Sequence, residues 1–264
     1  MMERHMIADD DKVRRKPRRV KSLAIRIVLT LTFLFVVCAI VFVVWALDTS
    51  QPESKAYTEA ISNLAIIIDS HDGFITIRPA GKKPEVGLLF YPGARIEPSA
   101  YVAKLAAIAE AANIQIAIGS PLLNLAFLSI NQADDMRTAL PGVTRWFVGG
   151  HSLGGSMACV YASSHSDTLE GVVLFGTYCG TDISNSSLRV LSINGERDGV
   201  FPPAIISERK EELPSNAHMV LVPGMNHAQI GNYGPQSGDN EPTISEAEAR
   251  EALVDTVKAF FAEH

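Results

Sequence analysis

Three cysteines in 264 residues are too few for a disulfide scaffold. Charged residues make up only 20% of the chain and the formal net charge is −6, so nothing marks nucleic acid as a partner. No His, Cys, Asp and Glu cluster has metal-ligand spacing, and no Gly-rich phosphate loop is free to open a helix, so no metal and no cofactor is expected. There is no internal repeat and no low-complexity tract. At 47% hydrophobic residues the chain is too apolar for a disordered protein. What remains is one large domain, or one domain with an appendage.

The net charge hides two unlike regions. Residues 1–26 carry nine Lys and Arg against four Asp and Glu, a net +5, which leaves −11 for the rest. Between them, Ile27–Leu47 is a run of 21 residues without an ionisable acid or base. At 1.5 Å per residue a helix of that length spans about 30 Å, the thickness of a bilayer's hydrocarbon core. Trp45 sits near its end, where an amphipathic ring suits the interface, and Asp48 and Pro52 stop it. Positive charge beside a span tends to stay in the cytoplasm. The expected organisation is a basic cytoplasmic tail (1–26), a transmembrane signal anchor (27–47), a polar linker (48–60) and an extracytoplasmic domain (61–264). A cleaved signal peptide is the competing reading, but its apolar core would be about 7–15 residues, shorter than this run. Cys38 lacks the small residues expected before a lipid-modified cysteine.

Beyond the linker, short apolar runs alternate with amphipathic stretches. Leu64–Ile68 and Phe74–Ile77 flank His71-Asp72-Gly73, a hairpin signal. Val86–Tyr91 and Ile114–Ile118 read as buried strands, and Arg145–Gly149, Gly171–Phe175, Arg189–Asn194 and His218–Val222 as further strands. Helices are expected from Ser99, as cap, to about Ala112, and over Leu153–Ser164, Pro203–Glu212 and Ser245–Glu263. Leu122–Ile130 is apolar, and a helical reading extends it towards Leu140. This alternation predicts an α/β fold: a mostly parallel sheet with helices on both faces and the hairpin as antiparallel edge strands.

Gly150-His151-Ser152-Leu153-Gly154-Gly155 stands where the third parallel strand meets a helix. It matches the Gly-x-Ser-x-Gly elbow, which lifts a serine hydroxyl off the end of a sheet. A serine needs a base beside it and a carboxylate to orient that base. His227 follows the last strand, on the edge where Ser152 sits; His165 ends the nucleophile's own helix, His218 starts a strand and His264 is terminal. Asp198, in Gly195-Glu196-Arg197-Asp198-Gly199, is the favoured acid; Glu196 competes but reads as solvated or paired with Arg197, and Asp182 is third. Acyl transfer also needs donors for the developing oxyanion. The Leu153 N–H should be one, and the Ala94 N–H, in Tyr91-Pro92-Gly93-Ala94-Arg95 after a strand, the other. A plain Pro-Gly turn is the alternative for that loop.

These motifs resemble the α/β-hydrolase superfamily from about Ile66 to Phe261. Phe90-Tyr91-Pro92-Gly93-Ala94-Arg95-Ile96-Glu97-Pro98, the elbow, and Asn226-His227-Ala228-Gln229-Ile230-Gly231-Asn232-Tyr233-Gly234 are similar to small dienelactone-hydrolase-like bacterial proteins, often exported or membrane-anchored. The resemblance implies a Ser152–Asp198–His227 triad, with Ser where a true dienelactone hydrolase has Cys.

The expected activity is hydrolysis of a small-molecule carboxylic ester. A peptidase, thioesterase or acyltransferase with the same triad is an alternative, as is an idle hydrolase fold that only binds. About thirteen residues, Gly176–Leu188, separate two strands where many lipases insert a lid, so no substantial lid domain is expected. Tyr91, Leu122 and Tyr233 are the candidates for the pocket wall, Tyr91 being equally readable as a buried structural residue and Leu122 as part of a core helix. The long Gly-, Asn- and Pro-rich segment 228–243 reads either as a gate or as a disordered surface loop. Cys159 lies mid-helix and Cys179 in a loop at the opposite end, so two free thiols are expected.

Overall fold

The computed structural model describes residues 17–263, with side chains from residue 23 onward. The chain divides after Trp45 into two units. Most of the basic tail lies outside the described residues.

The first unit is dominated by helix α1 (Pro17–Leu47), in which Leu23–Leu47 contains an 18-residue stretch of mean hydropathy 3.2 and is long and apolar enough to cross a membrane. In the second unit a short helix α2 (Ser54–Ile61) comes first, where a linker was expected. Its Tyr57 and Ala60 pack on that unit's core. Two apolar contacts in eight polar-rich residues leave little periodicity to read, and the helix depends on those contacts.

Strands β1 (Ile66–His71) and β2 (Phe74–Pro79) form the antiparallel hairpin, paired Ile66 to Pro79 and His71 to Phe74. Next come β3 (Val86–Tyr91), helix α3 (Val102–Ala112) and β4 (Gln115–Gly119). Ser99 caps nothing: it lies inside a 3-10 turn, Pro98–Tyr101, and α3 starts at Val102 without a side-chain cap. The ambiguous apolar stretch is two 3-10 turns, Leu122–Asn124 and Ala126–Leu128, ahead of α4 (Gln132–Thr138). Then follow β5 (Arg145–His151), α5 (Leu153–Ser164), β6 (Gly171–Phe175), β7 (Arg189–Gly195), α6 (Pro203–Glu208), β8 (His218–Val222) and α7 (Glu246–Ala262). Helix α7 opens with a capping box: Ser245 Oγ accepts from the Glu248 N–H, and Glu248 Oε2 accepts from the Ser245 N–H.

The sheet order is β1-β2-β4-β3-β5-β6-β7-β8, with β3 to β8 parallel. Both faces are covered. Along β3, Leu88 and Phe90 join the core under α3 and α7, while Leu89 and Tyr91 join the core under α4 and α5. That period of two explains why the strand is apolar throughout. Register then collects the strand ends. Tyr91 pairs with Gly150, His151 with Phe175, Phe175 with Ile193, and Gly195 with Val222. The loops after β3, β5, β6, β7 and β8 therefore leave from one edge of the sheet, where open parallel sheets bind ligands.

Candidate active site

Ser152 stands between β5 and α5 with φ 53° and ψ −127°, backbone that a residue with a Cβ rarely adopts. Its N–H donates to Phe175 O at 3.1 Å, which stitches the turn to β6. The tightness comes from the next strand. A Cβ on Gly154 would lie 2.2 Å from Tyr91 O and 2.3 Å from Pro92 O, so only glycine lets α5 leave against the end of β3.

Asp198 and His227 are brought together across 29 residues. His227 Nδ1 lies 2.8 Å from Asp198 Oδ2, and both side chains are fully buried. The other Asp198 oxygen accepts from the Val200 N–H at 2.9 Å and the Phe201 N–H at 2.6 Å, so the carboxylate cannot rotate away. With Nδ1 donating to the carboxylate, the lone pair is left on Nε2. That atom is buried and has no hydrogen-bond partner among the described residues. Gly176, at φ 54°, makes room for the pair: a Cβ there would sit 3.1 Å from His227 Nδ1. The imidazole is next to the elbow, since its ring centroid is 4.3 Å from that of His151, the residue before Ser152.

At the two expected oxyanion donors, the Leu153 and Ala94 amides make no hydrogen bond to a described residue. Leu153 is the first residue of α5, whose opening N–H groups lack partners inside the helix. The Ala94 loop is held from both sides: Gly93 N–H donates to Tyr101 Oη at 2.9 Å, and Arg95 N–H donates to Asn124 O at 2.9 Å.

Two sequence expectations at the site are corrected, those for Tyr91 and for the cysteine pair. Tyr91 does not line a pocket. It is fully buried, its hydroxyl donates to Ile130 O and accepts from the Ala133 N–H, and burial pushes that hydroxyl far above its usual range. Glu196 is solvent-exposed, as one of its two expected readings had it, and its Oε2 also accepts from the Gly224 N–H at 2.9 Å, in the loop leading to His227. Cys159 and Cys179 are joined in a disulfide, with Cα atoms 5.3 Å apart. The chain after β6 does not stay at the sheet edge but turns down along α5. There Ser156 Oγ lies 3.0 Å from Thr177 Oγ1 and donates to Tyr178 O at 2.9 Å. Cys38 is free and exposed.

Leu122 is exposed on its 3-10 turn beside the Ala94 loop. Tyr233 is buried, with its hydroxyl donating to Gln236 Oε1 at 2.9 Å. The segment 228–243 is tied to both halves of the acid–base pair through Asp239. One of that residue's oxygens accepts from the Gly199 N–H and the other from the Ala228 N–H, each at 2.9 Å.

Three supporting residues were not assigned from the sequence. Lys104 on α3 is buried, and its ammonium donates to Gln229 O, to Gly231 O at 2.8 Å and to Glu246 Oε2 at 2.8 Å. It clamps the turn after His227. Desolvation lowers its pKa, and Glu246 opposes that shift. Tyr101 and His151 form the second group, with Tyr101 Oη 2.8 Å from His151 Nδ1. The phenol already accepts from Gly93, so its own proton goes to Nδ1, and Nε2 of His151 carries the ring proton. Burial, then the neighbouring His227 and Lys104, hold this imidazole well below its ordinary pKa, so it is neutral. A solvent-side Lys or Tyr and these buried ones are identical in sequence; His151 is 50 residues from Tyr101, and the partners of Lys104 are 125 to 142 residues away. Among the described residues, no group of three or more His, Cys, Asp and Glu could hold a metal ion.

The order of strands, the elbow and the buried acid–base pair fit one known family, and its sequence model matches residues 87–251. The chain belongs to the alpha/beta hydrolase family. None of the curated proteins compared with it matches. Among solved alpha/beta hydrolase structures it is similar to Est1E from Butyrivibrio proteoclasticus, with 14% identity and a TM-score of 0.54 over 75% of this chain and 98% of that one. It is also similar to a hyperthermophilic esterase from the archaeon Pyrobaculum calidifontis, with 15% identity and a TM-score of 0.54 over 79% and 89%. A third is EstE1, a thermostable carboxylesterase from a metagenomic library, with 14% identity and a TM-score of 0.53 over 80% and 94%. At such identities the likeness is one of fold.

Proposed function

We propose that this alpha/beta hydrolase is a membrane-anchored serine esterase that works through an acyl-enzyme on Ser152. The observation that carries the reading is the buried His227–Asp198 pair at 2.8 Å, whose Nε2 is unpartnered among the described residues and whose ring lies 4.3 Å from that of His151, the residue before the strained elbow serine. Ser152 Oγ attacks the ester carbonyl while His227 Nε2 takes its proton, and Asp198 stabilises the imidazolium that results. The oxyanion is held by the Leu153 and Ala94 N–H groups. As the tetrahedral intermediate collapses, His227 returns the proton to the departing alcohol. Water then attacks the acyl-enzyme with the same proton route, releasing the carboxylic acid and restoring Ser152. That the similar structures include esterases supports ester hydrolysis over the other acyl transfers.

The anchored, extracytoplasmic location rests on the charge bias before the span and on the length of that span. The Cys159–Cys179 bridge adds to it, because such bonds persist in oxidising compartments. Hydrolysis of p-nitrophenyl acetate tests the mechanism. Ser152→Ala should reduce the rate to background, and Asp198→Asn should lower kcat by about 10⁴ because it stabilises the wrong His227 tautomer. Unchanged hydrolysis in Ser152→Ala overturns the reading.

A further inference from the structure

The chain leaves its apolar span at Leu47, and the residues immediately after it are not a free tether. Arg95 Nη2 donates to Asp48 O at 2.6 Å and Asp48 Oδ2 at 2.7 Å. Ser50 N–H donates to Arg95 O at 2.8 Å, and Glu97 N–H donates back to Ser50 O at 3.0 Å, so Ser50 and Ile96 pair as a short parallel bridge. Thr49 Oγ1 donates to Glu97 Oε1 at 2.9 Å, and Glu53 N–H donates to Asn232 O at 2.8 Å. Residues 48–53 are thus laid along the loop that carries the proposed oxyanion donor Ala94, and end on the turn that follows His227.

Distance makes this consequential. Ser50 is three residue steps from Leu47, at most about 11 Å of extended chain. One hydrogen bond and one residue more reach Ala94, so about 15 to 20 Å at most lies between the end of the span and the proposed oxyanion site. The headgroup layer on each side of a bilayer is itself about 5 to 8 Å thick. A free thirteen-residue linker would instead let the domain range over about 20 Å in any orientation.

The surface beside this attachment has the matching chemistry. Arg95 N–H donates to Asn124 O, which places segment 121–130 against the same loop. Those ten residues, Pro121 to Ile130, contain no ionisable side chain, although the chain beyond residue 26 carries a net −11. Leu122 is 63% exposed, Phe127 45% and Leu128 41%. Large apolar groups of this kind bury about 5 to 10 Å into the headgroup–acyl boundary when held there.

We infer that the mouth of the proposed active site is docked on the membrane surface through residues 121–130, and that its substrate is an ester held in the bilayer. Such a lipid ester needs to expose only its carbonyl to Ser152, while its chain stays in the leaflet. The inference rests on the hydrolase and anchor readings above.

The test uses full-length protein in vesicles of phosphatidylethanolamine and phosphatidylglycerol. Two substrates are compared: p-nitrophenyl acetate in the water, and 4-methylumbelliferyl palmitate dissolved in the vesicles. A Gly/Ser spacer of about 20 residues between Leu47 and Asp48 adds about 25 Å of reach and leaves the hydrogen bonds of residues 48–53 to the Ala94 loop available. It should leave the soluble ester rate within about twofold and lower the embedded ester rate about tenfold or more, as the effective concentration of the mouth at the surface falls. Equal losses, or none, overturn the inference. A second readout needs no catalysis. In a Trp45→Phe background, whose remaining Trp146 signal is subtracted, the fluorescence added by Phe127→Trp should be quenched by brominated lipids, and the spacer should abolish the quenching. Absence of quenching in the Phe127→Trp variant, or a mature chain that has lost residues 1–47, also overturns it. If neither ester is cleaved the hydrolase reading fails, and the quenching still decides whether the mouth meets the bilayer.

Discussion

His151 lies against the proposed base with its ring tilted, bonds Tyr101 and immediately precedes the proposed nucleophile. Its neutrality has a thermodynamic signature. Unfolded, this histidine takes up a proton below its ordinary pKa of 6.5; folded, burial first and His227 and Lys104 second keep it neutral. The unfolded state therefore binds more protons as pH falls below about 6.5, and stability drops in that window by at most about 1.4 kcal/mol per pH unit. His151→Asn keeps an acceptor for the Tyr101 hydroxyl but cannot titrate. Urea midpoints between pH 7.5 and 5 should fall less steeply in this variant than in the wild type; parallel curves would show that His151 is not held neutral. At this scale the sequence was partly readable. The elbow turn at Ser152 and the pairing of Asp198 with His227 were reachable because elbow spacing and strand order constrain them. The Tyr101–His151 and Lys104 contacts span 50 residues or more, and no local pattern encodes those.

Strands were more legible than the segments joining them. β3, β6 and β8 are short apolar runs between turn signals, and their bounds follow from that. α2 was hidden because none of its residues is buried and only Tyr57 and Ala60 face the core. The Cys159–Cys179 bridge was hidden for a different reason: it depends on the path of 176–180 down the side of α5, which Ser156 fixes by bonding Tyr178 O. That bridge ties α5, the helix after Ser152, to the loop whose Tyr178 ring packs on Phe201, which in turn lies against His227. Closing a loop of 20 residues stabilises by about 3 kcal/mol in the chain-entropy account. The Cys159→Ser/Cys179→Ser double variant should melt about 6 to 12 °C lower than the wild type by calorimetry. A Tm within a degree of the wild type would mean that the bridge does not constrain the chain.

For the whole molecule, the two charge regions and the apolar run predict topology. Full-length protein should sediment with membranes and float with them in a density gradient. Protease added outside intact cells should reach residues 48–264 but not the basic tail. A soluble form lacking residues 1–47 would instead identify the apolar run as a cleaved signal. Fold class was readable at this scale because strand–helix alternation leaves few packings open to a chain of this length. The attachment of residues 48–53 to the Ala94 loop was not, because polar residues with no period look the same whether free or bonded. The central claim is that Ser152 is a nucleophile activated by His227 and Asp198. Its most direct test is labelling of the full-length protein with a fluorophosphonate, followed by peptide mass mapping. The account predicts a single phosphonylated site at Ser152, absent in Ser152→Ala and strongly slowed in Asp198→Asn. A properly folded wild-type protein left unlabelled, or labelled at another residue, would contradict it.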